Sequence, residues 1–170
     1  MKFLANGAPI PGGGALTFDA GSQFQISLPE AGTLPQRADL LVGTNGEPAR
    51  GNDTYNTDGT SQSIARSLKK NQFLNFNVLV QNDGTQTDSI LVKAPAGDAN
   101  ATISYKLGKT DVTADVTGSG LTLSNLPSAG SAVLKVTVKA KKNGANFTGN
   151  IEAAGGDNAK DVVQFHIGPI

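Results

Sequence analysis

Apolar and polar residues alternate one by one along FLNFNVLVQ (73–81), with Leu74, Phe76, Val78 and Val80 on one side and Asn75, Asn77 and Gln81 on the other. A period of two suits the pleat of a half-buried strand and cannot make the stripe of an amphipathic helix. The pattern returns in DSILVKA (88–94), with Ile90 and Val92 inward, and in ATISYKLG (101–108), with Ile103, Tyr105 and Leu107. In SAVLKVTVKAKK (131–142), Ala132, Leu134, Val136 and Val138 oppose Lys135, Thr137 and Lys139. ADLLVGT (38–44), FTGNIEA (147–153) and DVVQFHI (161–167) are further strands, and SIARSLKKNQ (63–72) reads as a short strand or turn. DVTADVTGSGLTLSNL (111–126) reads as a strand carrying Val112, Ala114 and Val116, a Gly-rich turn, and a second strand with Leu121 and Leu123. Asn82-Asp83-Gly84 reads as a tight turn, because these residues tolerate positive φ. No segment keeps a 3.6-residue apolar period over three turns, so the chain is expected to be all-β, an antiparallel sandwich.

The N-terminal part follows a different plan. ANGAPIPGGG (5–14) and PEAGTLPQ (29–36) are rich in Gly and Pro and carry no strand pattern. Between them, Leu16, Phe18, Ala20, Ser22, Phe24, Ile26 and Leu28 occupy every even position. Run straight, this stretch is a strand of about 43 Å, against about 5–6 residues for a typical strand. Two readings stay open. A bend at Ala20-Gly21-Ser22 divides it into ALTF and QFQISL, two short strands packed on their own chain. Without the bend it is a donor strand that pairs with a neighbouring subunit through Leu16, Phe18, Ala20, Phe24, Ile26 and Leu28. Burial of the large members is worth about 1.5–3 kcal/mol each before ordering costs. The expected organisation is an arm over residues 1–36 carrying the strand 16–28, followed by a sandwich over 37–170.

Other chemistry is sparse. Fourteen basic residues balance fourteen acidic ones, so no basic stripe is available for phosphates and nucleic acid is not an expected partner. There is no Cys and no Trp, which removes disulfides, thiolate metal sites and the best stacking platform. The apolar run after Met1 stops at Leu4, short of the roughly 7–15 residues of a signal-peptide core. Export by another route, or a signal outside this chain, is expected, and nothing approaches a membrane span. His166 is the only histidine, alternates with Val163, Phe165 and Ile167, and has no Gly-x-Ser-x-Gly nucleophile elbow to serve. GNDTYNTDG (51–59) holds the weak calcium candidates Asp53, Asn56 and Asp58, but its spacing departs from the Asp-x-Asn-x-Asp-Gly pattern and it lacks the bidentate Glu. No catalytic residues, metal or other cofactor are expected.

Three stretches carry a resemblance: FNVLVQNDGTQTDSILVKAPAG (76–97), LPSAGSAVLKVTVKA (126–140) and RADLLVGTNGEPARGNDTYNTDGTSQS (37–63). The first is similar to the central hairpin of bacterial Ig-like modules of the CARDB type and of the Ig-like domain attached to some glycosidases. The second resembles a later strand of the same modules, and the third the opening of a repeat in large secreted bacterial proteins. The resemblance implies an immunoglobulin-like fold and an extracellular or cell-surface role in adhesion or scaffolding, with no catalytic residues to transfer. The strand pattern at 16–28 lies outside it and resembles the donor strand of bacterial pilins. The resulting expectation is a non-enzymatic structural subunit of a filament or surface assembly, a homo-oligomer or polymer of itself formed by exchange of the N-terminal strand. The alternatives are a monomeric adhesion module that binds a cell-surface glycan or protein, with Tyr55 as its one loop aromatic, and a virion decoration protein.

Overall fold

The computed structural model describes residues 4–5, 8–9, 36–44, 46–156 and 159–169. The chain divides into two compact units, Met1–Glu30 and Ala31–Ile170. In the first, β1 (Leu4–Ala5) pairs antiparallel with β2 (Ala8–Pro9). The expected strand 16–28, with Leu16, Phe18, Ala20, Phe24, Ile26 and Leu28, lies outside the described residues.

The second unit is an immunoglobulin-like β-sandwich of two five-stranded sheets. Its strands are β3 (Ala38–Thr44), β4 (Ser63–Arg66), β5 (Phe73–Asn82), β6 (Asp88–Lys93), β7 (Ala101–Leu107), β8 (Thr110–Asp111), β9 (Leu121–Leu126), β10 (Ser131–Ala140), β11 (Phe147–Ala154) and β12 (Lys160–Ile167). One sheet runs β3-β5-β10-β7-β8 and the other β4-β12-β11-β6-β9. All neighbours are antiparallel except β4 and β12, which run parallel.

The inward rows meet as the alternation requires. Leu74, Phe76, Val78 and Val80 of β5 and Leu134, Val136 and Val138 of β10 are buried against Ile90, Val92, Ile151, Val163, Phe165 and Ile167 of the opposite sheet. The Phe165 ring lies 5.3 Å from Phe76 and 5.8 Å from Phe147. Gly149 makes room for it, since a Cβ there would collide with the Phe165 ring edge and with Pro95. Tyr105 is fully buried and donates its hydroxyl to Pro95 O at 2.8 Å, so its polar tip is satisfied.

Two local expectations are corrected. Residues 76–97 are not a hairpin, because β5 and β6 belong to different sheets. The link between them is a crossing built on Asn82, whose Oδ1 accepts from Gly84 N at 2.9 Å and whose Nδ2 donates to Gln86 O and Leu126 O at 2.8 Å each. None of Asn82, Asp83 and Gly84 takes a positive φ, because this buried side chain turns the backbone instead. Val112, Ala114 and Val116 do not form a strand either. Residues Thr113–Thr117 make one helical turn, α1, with Val112 and Val116 buried four residues apart and Ala114 exposed. Asp111 Oδ1 accepts from Thr113 N at 2.9 Å and turns the chain out of β8. Three residues of alternation do not distinguish a strand from a turn of helix.

Candidate functional site

The two long flanks of the sandwich are finished differently. On the first, β3 is buried on both faces, unusually for an edge strand. Its outer backbone edge is closed by Arg50, with Val42 N to Arg50 O and Arg50 N to Val42 O both at 2.8 Å. The polar loop beyond, 51–62, is tied down by Asp161, which falls on the inward parity of β12 beside Val163 and Phe165 and is itself fully buried. Asp161 Oδ2 accepts from Leu40 N at 2.7 Å. Its Oδ1 accepts from Asn56 N at 3.1 Å, Gln62 Nε2 at 2.8 Å and its neighbour Val162 N at 2.9 Å. A carboxylate with this many donors is a stable buried anchor.

Asp39, on the opposite face of β3, is buried without that support. Its Oδ2 accepts from Asp53 N at 3.3 Å, while Oδ1 has no donor among the described residues. Burial pushes its pKa up to about 7, and the nearby carboxylates of Asp83, Asp161 and Asp53 add to the rise against the lowering effect of the Asp53 amide. Nearby, a cleft of about 440 Å³ is lined in part by Arg37, Asp53, Tyr55, Asn82 and Asp83. Tyr55 donates its hydroxyl to Asp83 Oδ2 at 2.6 Å, and burial, with the Asp83 contact next, raises its pKa. The Arg37 guanidinium sits 3.8 Å from the ring centroid, so one face of the loop aromatic is already covered.

The calcium candidates are not brought together. Asn56 Oδ1 accepts from the amides of Asp58 and Gly59 at 3.2 and 2.6 Å, and Asp58 Oδ1 accepts from Thr60 N at 2.8 Å. Asp53 Oδ2 accepts from Asn52 Nδ2 at 2.6 Å. These side chains turn the loop, and no group of three acidic or His side chains suited to a metal ion forms among the described residues. His166 stands half-buried on the outer face of β12, with Nδ1 2.9 Å from Thr148 Oγ1. No base–nucleophile–acid constellation surrounds it among the described contacts.

The second flank is open. β9 pairs with β6 on one side, and among the described residues no strand pairs with its other side. Its sequence, LTLSNL, has no charge and no proline. Leu121, Leu123 and Leu126 are half-buried against the core, and Thr122 and Ser124 are exposed. Below the leucines runs a narrow apolar seam, too tight for water, lined in part by Val80, Val92, Leu107 and Leu134. α1 closes one end, where Ala94 N donates to Val116 O at 2.9 Å, and the Asn82–Leu126 bond closes the other. Proteins normally blunt such edges with Lys, Pro, a bulge or a covering loop, and of these β9 carries a bulge, at Ser124–Asn125.

Asp39, Gln62, Asn82 and Asp161 are buried polar residues that the alternation alone does not single out. Only Asp161 leaves a trace in it, as a carboxylate in phase with Val163, Phe165 and Ile167.

The sequence matches no family model, and no match is found among curated proteins. Two of the solved structures that resemble the chain are these. A family 123 glycoside hydrolase from Clostridium perfringens aligns with a TM-score of 0.47 and 9% identity over 79% of this chain. The chain spans 27% of that enzyme's length. The PapD-like domain 7 of human CEP192 aligns with a TM-score of 0.40 and 8% identity over 91% of this chain and 98% of that domain. Among the described residues no helix is long and apolar enough to cross a membrane.

Proposed function

We propose that this chain is a non-enzymatic structural subunit of an extracellular or cell-surface assembly, and that copies join by donating the N-terminal strand segment 16–28. One observation carries the reading: both five-stranded sheets, with their core, are built within residues 38–167. The alternation from Leu16 to Leu28 is strand-forming sequence that lies outside that stretch of the chain. A strand with an apolar row gains by burying that row and pairing its backbone, and an edge on another copy offers both. Head-to-tail donation does not close on itself, so it extends into a fibre. The buried carboxylate of Asp161 is engaged in holding the 51–62 loop, which fits a scaffold better than a catalyst.

Because the core lies within residues 38–167, removal of residues 1–30 is expected to leave a folded domain. Light scattering and negative-stain microscopy of the two proteins test the reading. The full chain should form extended particles and the shortened one should stay monomeric. A full chain that stays monomeric at high concentration, or a shortened chain that assembles equally well, defeats it.

A further inference from the structure

We infer that the acceptor is the outer edge of β9 on a second copy, where the segment QFQISL (23–28) adds as a sixth strand beside Leu121–Leu126. This rests on the strand-donation reading above and names the surface that serves it.

The other edges of the described sheets are poor acceptors. β3 is closed by Arg50 and covered by the loop that Asp161 anchors. β4 is four residues long and ends at Arg66, which pairs with Glu47 at 3.8 Å. β8 is two residues long, exposed, and carries Asp111 with Lys109 just before it. β9 is uncharged and lined on its inner side by three leucines. Its edge is regular at Leu121–Leu123 and bulges before Leu126, where Asn125 takes a positive φ, and β6 already matches that spacing with Asp88, Ile90 and Val92.

The donor matches that edge. Phe24, Ile26 and Leu28 would continue the inner row of Leu121, Leu123 and Leu126, and Gln23, Gln25 and Ser27 would stand beside exposed Thr122 and Ser124. Neither partner carries a charge in these stretches, so no charge is desolvated on pairing. The seam under β9 is already packed, so the donor lies along the edge and extends a finished sandwich. It does not fill a missing place in the core, and this is why the acceptor folds before it is occupied.

Direction favours a second copy. Gln36 is fixed by its Nε2 bond to Thr87 O at 3.2 Å, close to where Asp88 pairs with Leu126. A chain reaching β9 by the short path from that point runs parallel to it. Every pair in the two sheets except β4–β12 is antiparallel, and a strand arriving from another copy can take that sense.

The chain has no cysteine, so introduced thiols report on this pairing without interference. Full-length Gln25→Cys and full-length Thr122→Cys, carrying tags of different size, are mixed under mild oxidation. A disulfide between the two tagged chains, several-fold above that given by a Thr102→Cys control on the other sheet, is the expected result. Scanning the donor thiol through Gln23, Gln25 and Ser27 should give one preferred register. Particles that persist without the Thr122 link overturn the β9 assignment and leave strand donation standing. A Gln25→Cys/Thr122→Cys double variant that closes within single chains at high dilution overturns the second-copy assignment. If the unmodified chain forms no particles, both readings fall together.

Discussion

The β3 flank and the β9 flank solve the same problem in opposite ways. Each ends a five-stranded sheet and would expose a row of backbone donors and acceptors. At β3 a polar loop is folded over the edge and held by a buried carboxylate, so the edge is protected at the cost of burying charge. At β9 there is no charge and, among the described residues, no covering loop, only three half-buried leucines and the exposed Thr122, Ser124 and Asn125. The difference separates a flank that a buried carboxylate network ties down from one whose outer backbone edge has no partner strand among the described residues, the edge proposed above as the acceptor.

The comparison breaks most severely at Asp161. Asp161→Ala removes the acceptor of Leu40 N, Asn56 N and Gln62 Nε2 and uncovers β3. A loss of about 3 kcal/mol or more is expected, read from the urea midpoint, since each buried donor left bare costs about 1–3 kcal/mol. A loss near that of a surface substitution would mean that the loop does not depend on this anchor.

Asp39 sharpens the same flank through pH. Its folded pKa, about 7, lies above the ordinary value of 3.8, so the folded state holds the proton more tightly than the unfolded chain. The stabilisation by protonation is complete below the unfolded value and is lost as pH rises through about 7. Asp39→Asn should therefore be more stable than the parent at pH 8, by about 1–2 kcal/mol, an advantage that shrinks as pH falls and is gone at about pH 3.5. Thermal melts across that range check it, and a variant equally destabilised at both pH values would assign Asp39 a packing role instead.

Hydrogen exchange on the chain lacking residues 1–30 compares the flanks directly. The β3 amides of Leu40 and Val42, bonded to Asp161 and Arg50, should be protected, whereas the outward amides of β9 should exchange much faster. In assembled full-length protein the β9 amides should become protected and those of β3 should change little. The smallest effect on stability is expected for Thr122→Lys, within about 0.5 kcal/mol because the position is exposed. The same change places a charge on the open edge and should abolish particle formation by light scattering.

Much of the sandwich was legible in the chain itself. The inward rows of β5, β6 and β10 follow the alternation residue for residue, because a half-buried strand must place successive side chains on opposite faces. The reading failed where local pattern is ambiguous. Val112 and Val116 fit a strand and a helical turn equally, and the packing of α1 decided between them. Asn82-Asp83-Gly84 looks like a hairpin turn, but the carboxamide of Asn82 reaches Leu126 and turns the chain into the opposite sheet.

The candidate surfaces were less legible. The leucines of β9 are visible as an alternating pair with a third member, but nothing in LTLSNL says that its strand ends a sheet. The proposed donor residues Leu16, Phe18, Ala20, Phe24, Ile26 and Leu28 are read from sequence alone. By itself the sequence determined the strands, their buried faces and the surplus alternation near the N-terminus, since these depend on a two-residue period within one segment. Only the tertiary structure decided strand order, the crossing at Asn82, the burial of Asp39 and Asp161, and which edge stays open. Those are properties of segments distant in the chain meeting in space, and a local period carries no information about its neighbours.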